Sequence, residues 1–194
     1  MLNHACSNVQ NSLRKGFTFI ELIVSIAITS ILAAIAVPNF NEFIVKLRVD
    51  NEVSTLHRML LITRNAAINS GQKAILCPLN SNSQCSAQWE NELSVFVDAN
   101  NNKQFDVTEN IIKVRQAINT EDRLVYGKGR TKITYKPAGG LSGLANGTFR
   151  YCPKGYENLS RGIVVARSGR IYQSTDIDSD GIDENRGRKE IKCD

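Results

Sequence analysis

Residues Lys15 to Phe40 read KGFTFIELIVSIAITSILAAIAVPNF, and this stretch decides how the rest of the chain is arranged. A basic leader ends in Arg14-Lys15-Gly16, Phe17 follows, and a single carboxylate, Glu21, interrupts the apolar run. From Leu22 to Phe40 no charged residue occurs in 19 positions. A helix of that length crosses roughly 30 Å of hydrocarbon. A carboxylate at the edge of such a span is costly and calls for a partner. An ordinary secretory signal fits poorly, because its cleavage site would follow the apolar region. A plain single-pass anchor would leave Glu21 and the Gly16-Phe17 junction without a role.

Charge orients the span. Arg14 and Lys15 precede it, and the next basic residue is Lys46. The excess of basic residues on the N-terminal side predicts a cytoplasmic N-terminus, with the remainder outside the cytoplasm. About 120–150 residues are left for one soluble domain, enough for a single core. Cysteine use suits an oxidising compartment. Cys6 lies in the leader, and Cys77, Cys85, Cys152 and Cys193 allow three pairings. The favoured one closes a short Asn- and Ser-rich loop with Cys77–Cys85 and ties the end of the chain with Cys152–Cys193.

Beyond Phe40 the helical period continues. Phe40, Ile44, Leu47, Val53, Leu56, Leu60 and Ala67 recur near spacings of three and four, and Ser70-Gly71 supplies a stop. This predicts one long helix, about 17–70, spanning a bilayer with its first half (17–40) and packing an apolar stripe on the domain with its second (41–70). After Gly71 strand patterns follow at 73–77, 89–98, 110–116, 132–136, 148–152, 162–166 and 170–173, separated by Asn- and Gly-rich turns. The expected fold is α+β, a long N-terminal helix on an antiparallel β domain covering 71–194.

The N-terminal stretch resembles the class III signal of type IV pilins and pseudopilins, on Lys15, Gly16, Phe17, Thr18, Glu21 and Pro38. The resemblance implies cleavage of residues 1–16 by a prepilin peptidase, cutting between Gly16 and Phe17, and N-methylation of Phe17. It further implies an inner-membrane, single-pass protein with a periplasmic domain, retention of the apolar helix, and assembly with other pilins through it. Glu21 would act in that assembly. The layout of the remainder resembles the pseudopilin H/FimT family of minor pilins. Trp89, Val95-Phe96-Val97-Asp98, Arg150-Tyr151-Cys152-Pro153, Arg161-Gly162-Ile163-Val164-Val165 and Ser168-Gly169-Arg170 carry that similarity.

Two acidic turns have the spacing of calcium loops. Asp98, Asn100, Asn102, Gln104, Asp106 and Glu109 stand at positions 1, 3, 5, 7, 9 and 12, but position 6 is Lys103 rather than glycine. A structural turn is the preferred reading, since Asn and Asp bond their own backbone. Asp176, Asp178 and Asp180 precede Gly181, yet position 12 is Gly187, so a solvated turn is again preferred. No zinc pattern occurs, and His57 is the only histidine beyond the leader. No nucleophile elbow, metal-binding helix pair or phosphate loop is present. The expectation is therefore no enzyme, no cofactor and no small-molecule substrate.

Residues 123–170 hold ten basic residues and only Glu157 on the acidic side, with tyrosines interleaved. Such a block on one face would bind nucleic acid through phosphates, without sequence preference. FimT-like proteins are associated with DNA binding in natural transformation through a C-terminal Gly-Arg-x-Arg element. Gly169-Arg170-Ile171-Tyr172 matches it in part, and Arg186-Gly187-Arg188-Lys189 adds a second basic cluster. The resemblance implies a minor pilin of a type IV pilus with Arg167, Arg170, Arg186, Arg188 and Lys189 on DNA. The alternative is a pseudopilin of a type II secretion system, which the same N-terminal signal would serve.

Overall fold

The computed structural model describes residues 16–193, the side chains of residues 37–39 excepted. Residues 1–15, which carry most of the expected leader, lie outside the described residues. Helix α1 runs Phe19–Ser70. Strands β1 (Lys73–Pro78), β2 (Leu93–Asp98), β3 (Ile111–Arg115), β4 (Arg123–Tyr126), β5 (Ile133–Tyr135), β6 (Gly147–Cys152), β7 (Arg161–Val165) and β8 (Ile171–Gln173) follow. Chain contacts divide the protein into two units, residues up to Asn41 and residues from Glu42.

In the first unit the apolar side chains from Phe17 to Ile35 stand exposed along the helix. Three of its hydroxyls are satisfied within the helix: those of Ser25, Thr29 and Ser30 each donate to the carbonyl four residues back. Among the described residues α1 is the one helix long and apolar enough to cross a membrane.

In the second unit two four-stranded antiparallel sheets, ordered β3-β2-β1-β5 and β4-β6-β7-β8, share a core with the rest of α1. Val45, Val49, Val53, Leu56, Leu60, Thr63 and Ala67 form the buried stripe, at steps of three and four. Ile44 and Leu47, which helical spacing alone puts in that stripe, are instead about half exposed, at 47% and 49%, and Phe40 of the first unit is 61% exposed. Residues 40–49 offer apolar side chains on two faces. The face that continues by fours into Val53 is the one that meets the domain.

Trp89 sits at the centre, edge-on to Tyr126 and Phe149 at ring separations of 5.4 and 5.0 Å. Its Nε1–H donates to the Arg130 carbonyl at 2.7 Å. Ile75, Cys77 and Phe96 point to the other face of the first sheet and form a smaller cluster there with Phe105. Charged residues flank the helix stripe. Arg48 pairs with Asp122 at 3.1 Å, Asp50 with Arg161 at 2.8 Å, and Glu52 with Arg115 at 3.4 Å. Burial pushes the Glu52 carboxyl up and the Arg115 guanidinium down, so that last pair adds little net stability. Arg115 also donates to the carbonyls of Trp89 and Asn91.

The strand expected over 89–98 starts only at Leu93, because Trp89 lies in a turn. Strand β4 was not expected: its four residues are too few to display a period of two.

Candidate functional site

Sheet β4-β6-β7-β8 has an inner face of Leu124, Tyr126, Phe149, Tyr151, Ile163 and Val165. Alternation therefore sends Thr148, Arg150, Gly162, Val164 and Tyr172 to the outer face. Arg150 stands opposite Gly162, and Val164 opposite both Thr148 and Tyr172. The C-terminal tail crosses this face. A Cβ on Gly162 would lie 2.7 Å from Ile191 Cδ1, so glycine makes room for the tail. Cys152 and Cys193 are bonded, with a Cα separation of 5.9 Å. Arg150 donates to the Lys192 carbonyl at 3.2 Å, and Arg123 donates to that of Cys193. Cys77 and Cys85 close the other loop, at a Cα separation of 5.5 Å.

Basic side chains gather where tail and sheet meet. The Arg186 guanidinium lies 3.8 Å from the centre of the Tyr172 ring, and that of Arg170 lies 5.8 Å from it. Tyr172 occupies the last position of the Gly-Arg-x-Arg element, and a cation from 14 residues further on covers its ring. Next to this stack an open cleft of about 590 Å³ is lined by Arg150, Arg188, Lys189 and Lys192, with Glu190 as its one carboxylate. Arg167 is exposed in the turn between β7 and β8. That turn needs glycine at position 169, where φ is +80° and a Cβ would meet the Gly139 carbonyl oxygen. Among the described residues no carboxylate forms an ion pair with Arg167, Arg170, Arg186, Arg188 or Lys189.

The basic block of 123–170 does not form one continuous face. Arg161 is engaged by Asp50 and Asp183, and Lys154 by Glu121. Lys132 donates to the Lys103 carbonyl, and Arg130 lies over Tyr126. Tyr126, Tyr135 and Tyr151 are core residues, not stacking platforms. On the outer face, Tyr172 is the ring that Arg170 and Arg186 cover.

In the Asp98–Glu109 turn the polar groups serve one another. Both Asp98 oxygens accept the Lys103 N–H, and Glu109 accepts the amides of Ala99 and Asp106. Asp106 Oδ2 accepts the side-chain amides of Asn100 and Asn102, each at 2.7 Å. The two asparagines thus turn N–H groups toward the carboxylate that a cation would use.

At the N-terminal end, Thr18 and Glu21 form a reciprocal cap. Thr18 donates from its backbone and hydroxyl to Glu21 Oε2 at 2.8 and 2.9 Å, and the Glu21 N–H reaches Thr18 Oγ1 at 3.3 Å. Thr-x-x-Glu is the capping-box pattern, a local signal present in TFIE that assigning Glu21 to assembly alone overlooks. A Cβ on Gly16 would meet nothing within 4 Å beyond its chain neighbours, and Phe17 is fully displayed.

Residues 52–169 match the family described as type II transport protein GspH, and residues 11–37 match the prokaryotic N-terminal methylation motif. A fimbrial protein of Pseudomonas aeruginosa is 31% identical over 97 residues, which is 50% of this chain and 61% of that protein. The type IV major fimbrial protein FimA of Dichelobacter nodosus is 51% identical over 43 residues, 22% of this chain and 27% of its own length. The chain thus spans less than two thirds of the curated relatives it matches. The crystal structure of the type IV minor pilin FimU of Pseudomonas aeruginosa superposes with a TM-score of 0.57 at 17% identity, over 69% of this chain and 92% of the other. That likeness is one of fold.

Proposed function

The chain belongs to the GspH family, type IV pilin-like minor pilins and pseudopilins, and we propose that it is a minor pilin whose tail-side basic surface holds DNA without sequence preference. Members of this family are structural filament subunits rather than known enzymes, and assembly with other pilins goes with membership. The observation that carries the finer reading is the Arg170–Tyr172–Arg186 stack beside the Arg150, Arg188, Lys189 and Lys192 cleft. Guanidinium groups held on an aromatic ring lose little freedom when a phosphate arrives, and a row of cations beside them can follow a backbone.

Under this reading residues 1–16 are a leader cut by a prepilin peptidase, and Phe17 is then methylated. The apolar helix 17–40 holds the subunit in an inner membrane before assembly, and residues 71–194 form a periplasmic domain. The half-exposed apolar residues Ile44 and Leu47 then pack against neighbouring subunits. The second reading, a pseudopilin of type II secretion, is favoured by the description of the matching family itself.

A gel-shift series on the full chain in detergent micelles separates the two. Duplexes of unrelated sequence should bind alike, with a log–log salt slope of about −0.9 per phosphate neutralised. Arg170→Ala with Arg186→Ala, or Arg188→Glu with Lys189→Glu, should weaken all duplexes equally, whereas Lys113→Glu on β3 should not. No shift at low salt would leave the secretion pseudopilin as the better reading.

A further inference from the structure

We propose that the loop after β8 is a calcium site, with Asp176, Asp178, Asp180 and Glu184 supplying its carboxylate oxygens. One ligand atom from each of the four lies within 4.8 Å of the others. Four negative charges so close repel one another, and among the described residues no lysine or arginine pairs with any of them. The loop is tied shut at its base, where Thr175 and Glu184 exchange N–H···O bonds of 3.1 and 2.9 Å.

Within the loop, backbone amides aim the acids. Asp176 accepts from Ser179 and Gly181, Asp178 Oδ1 from Asp180, and Asp180 Oδ1 from Ile182. Oδ2 of Asp178 and of Asp180 remain for another ligand. Alternate aspartates ahead of a glycine at φ +89° reproduce the first six positions of a calcium loop.

Glu184 supplies the independent observation. It is only 4% exposed. Its Oε2 accepts the Ile177 N–H at 2.8 Å, while its Oε1 is buried with no hydrogen-bond partner. A buried carboxylate oxygen without a donor is a large cost, and a cation among the other three acids removes it. Glu184 stands at position 9 of the loop, so closure comes from there rather than from position 12, which is Gly187. The donor set is all oxygen, without histidine or cysteine, which selects a hard cation. Three of the four acids are exposed and admit waters, which suits the 6–8 ligands of calcium better than the strict octahedron of magnesium.

Calorimetric titration of the full chain in detergent micelles tests this. Wild type should take up one calcium per chain with a Kd of roughly 0.1–1 mM, the range of extracellular calcium modules. Asp178→Asn with Asp180→Asn changes only exposed side chains and should weaken binding by about tenfold or more, as should Glu184→Gln, while Glu190→Gln should leave it unchanged. Absence of saturable uptake up to about 10 mM calcium overturns the site. So does an affinity that the Asp178/Asp180 pair does not alter, or one that magnesium matches.

Discussion

The Tyr151 hydroxyl donates to Asp122 Oδ2 at 2.6 Å, where the carboxylate has no exposure to solvent. Asp122 also pairs with Arg48 of α1 and accepts the Lys154 N–H. One buried acid thereby joins helix, β6 and the loop after it. Asp122→Ala leaves a buried hydroxyl and a guanidinium unanswered, and should cost about 3 kcal/mol. Tyr151→Phe removes one bond and should cost about 1–2 kcal/mol. Urea unfolding of the two variants should rank them in that order; equal midpoints would remove Asp122 from its role.

The core tyrosines predict alkaline lability. Burial pushes the Tyr126 hydroxyl up from its ordinary value of 10.0 to about 12. Burial first, then its bond to Asp122, pushes Tyr151 up further. The neutral forms are favoured in the folded state, so these groups contribute full stability below pH 10. Above that the unfolded chain binds fewer protons, and stability falls as pH rises from about 10 through about 12. Absorbance at 295 nm and circular dichroism should therefore change together in that window. Complete tyrosine ionisation near pH 10 with the fold intact would contradict the burial.

The two disulfides should differ in worth. Loop entropy gives about 4 kcal/mol for Cys152–Cys193, at a sequence separation of 41, and about 2.5 kcal/mol for Cys77–Cys85, at a separation of 8. Cys193→Ser with Cys152→Ser should lower the unfolding midpoint more than the Cys77/Cys85 pair. Alkylation of the denatured, unreduced protein should label none of the four, and any labelled member would refute the pairing.

Processing gives a fourth expectation. Mass spectrometry of the membrane form should find a chain that starts at methylated Phe17, and a bulky residue in place of Gly16 should block the cut. Glu21→Val removes both the Thr18 cap and the carboxylate expected to act in assembly. The variant should stay in the membrane and be absent from sheared filaments. An intact N-terminus at Met1, or normal incorporation of the variant, would count against this reading.

What the sequence disclosed depended on range. The helix was legible because an unbroken apolar run passes beyond Phe40 into a period of three and four, and its stop is local. Most strands were legible from alternation between turn residues. The burying face of α1 was legible from Val53 to Ala67 but not before it, because Ile44 and Val45 are equally apolar and only the fold distinguishes them. The basic block looked continuous because counting charges ignores where the acids return: Asp50, Asp183 and Glu121 come from distant segments to occupy Arg161 and Lys154. The approach of Arg186 to Tyr172 has the same character. A 14-residue excursion closed by the Thr175–Glu184 pairing brings them together, and no local pattern announces it.

Arg48, Asp50 and Glu52 tie one short span of α1 to the β4 loop, to β7 and to β3, hence to both sheets at once. A pull along the axis of this helix would load those links and the Val45–Ala67 stripe in parallel, as shear. Strands would not be peeled off one by one. Links loaded in parallel share the force, so the second unit should yield late and all together. Mechanical toughness of this kind costs the chain no more than three charges placed on alternate residues beside an apolar stripe.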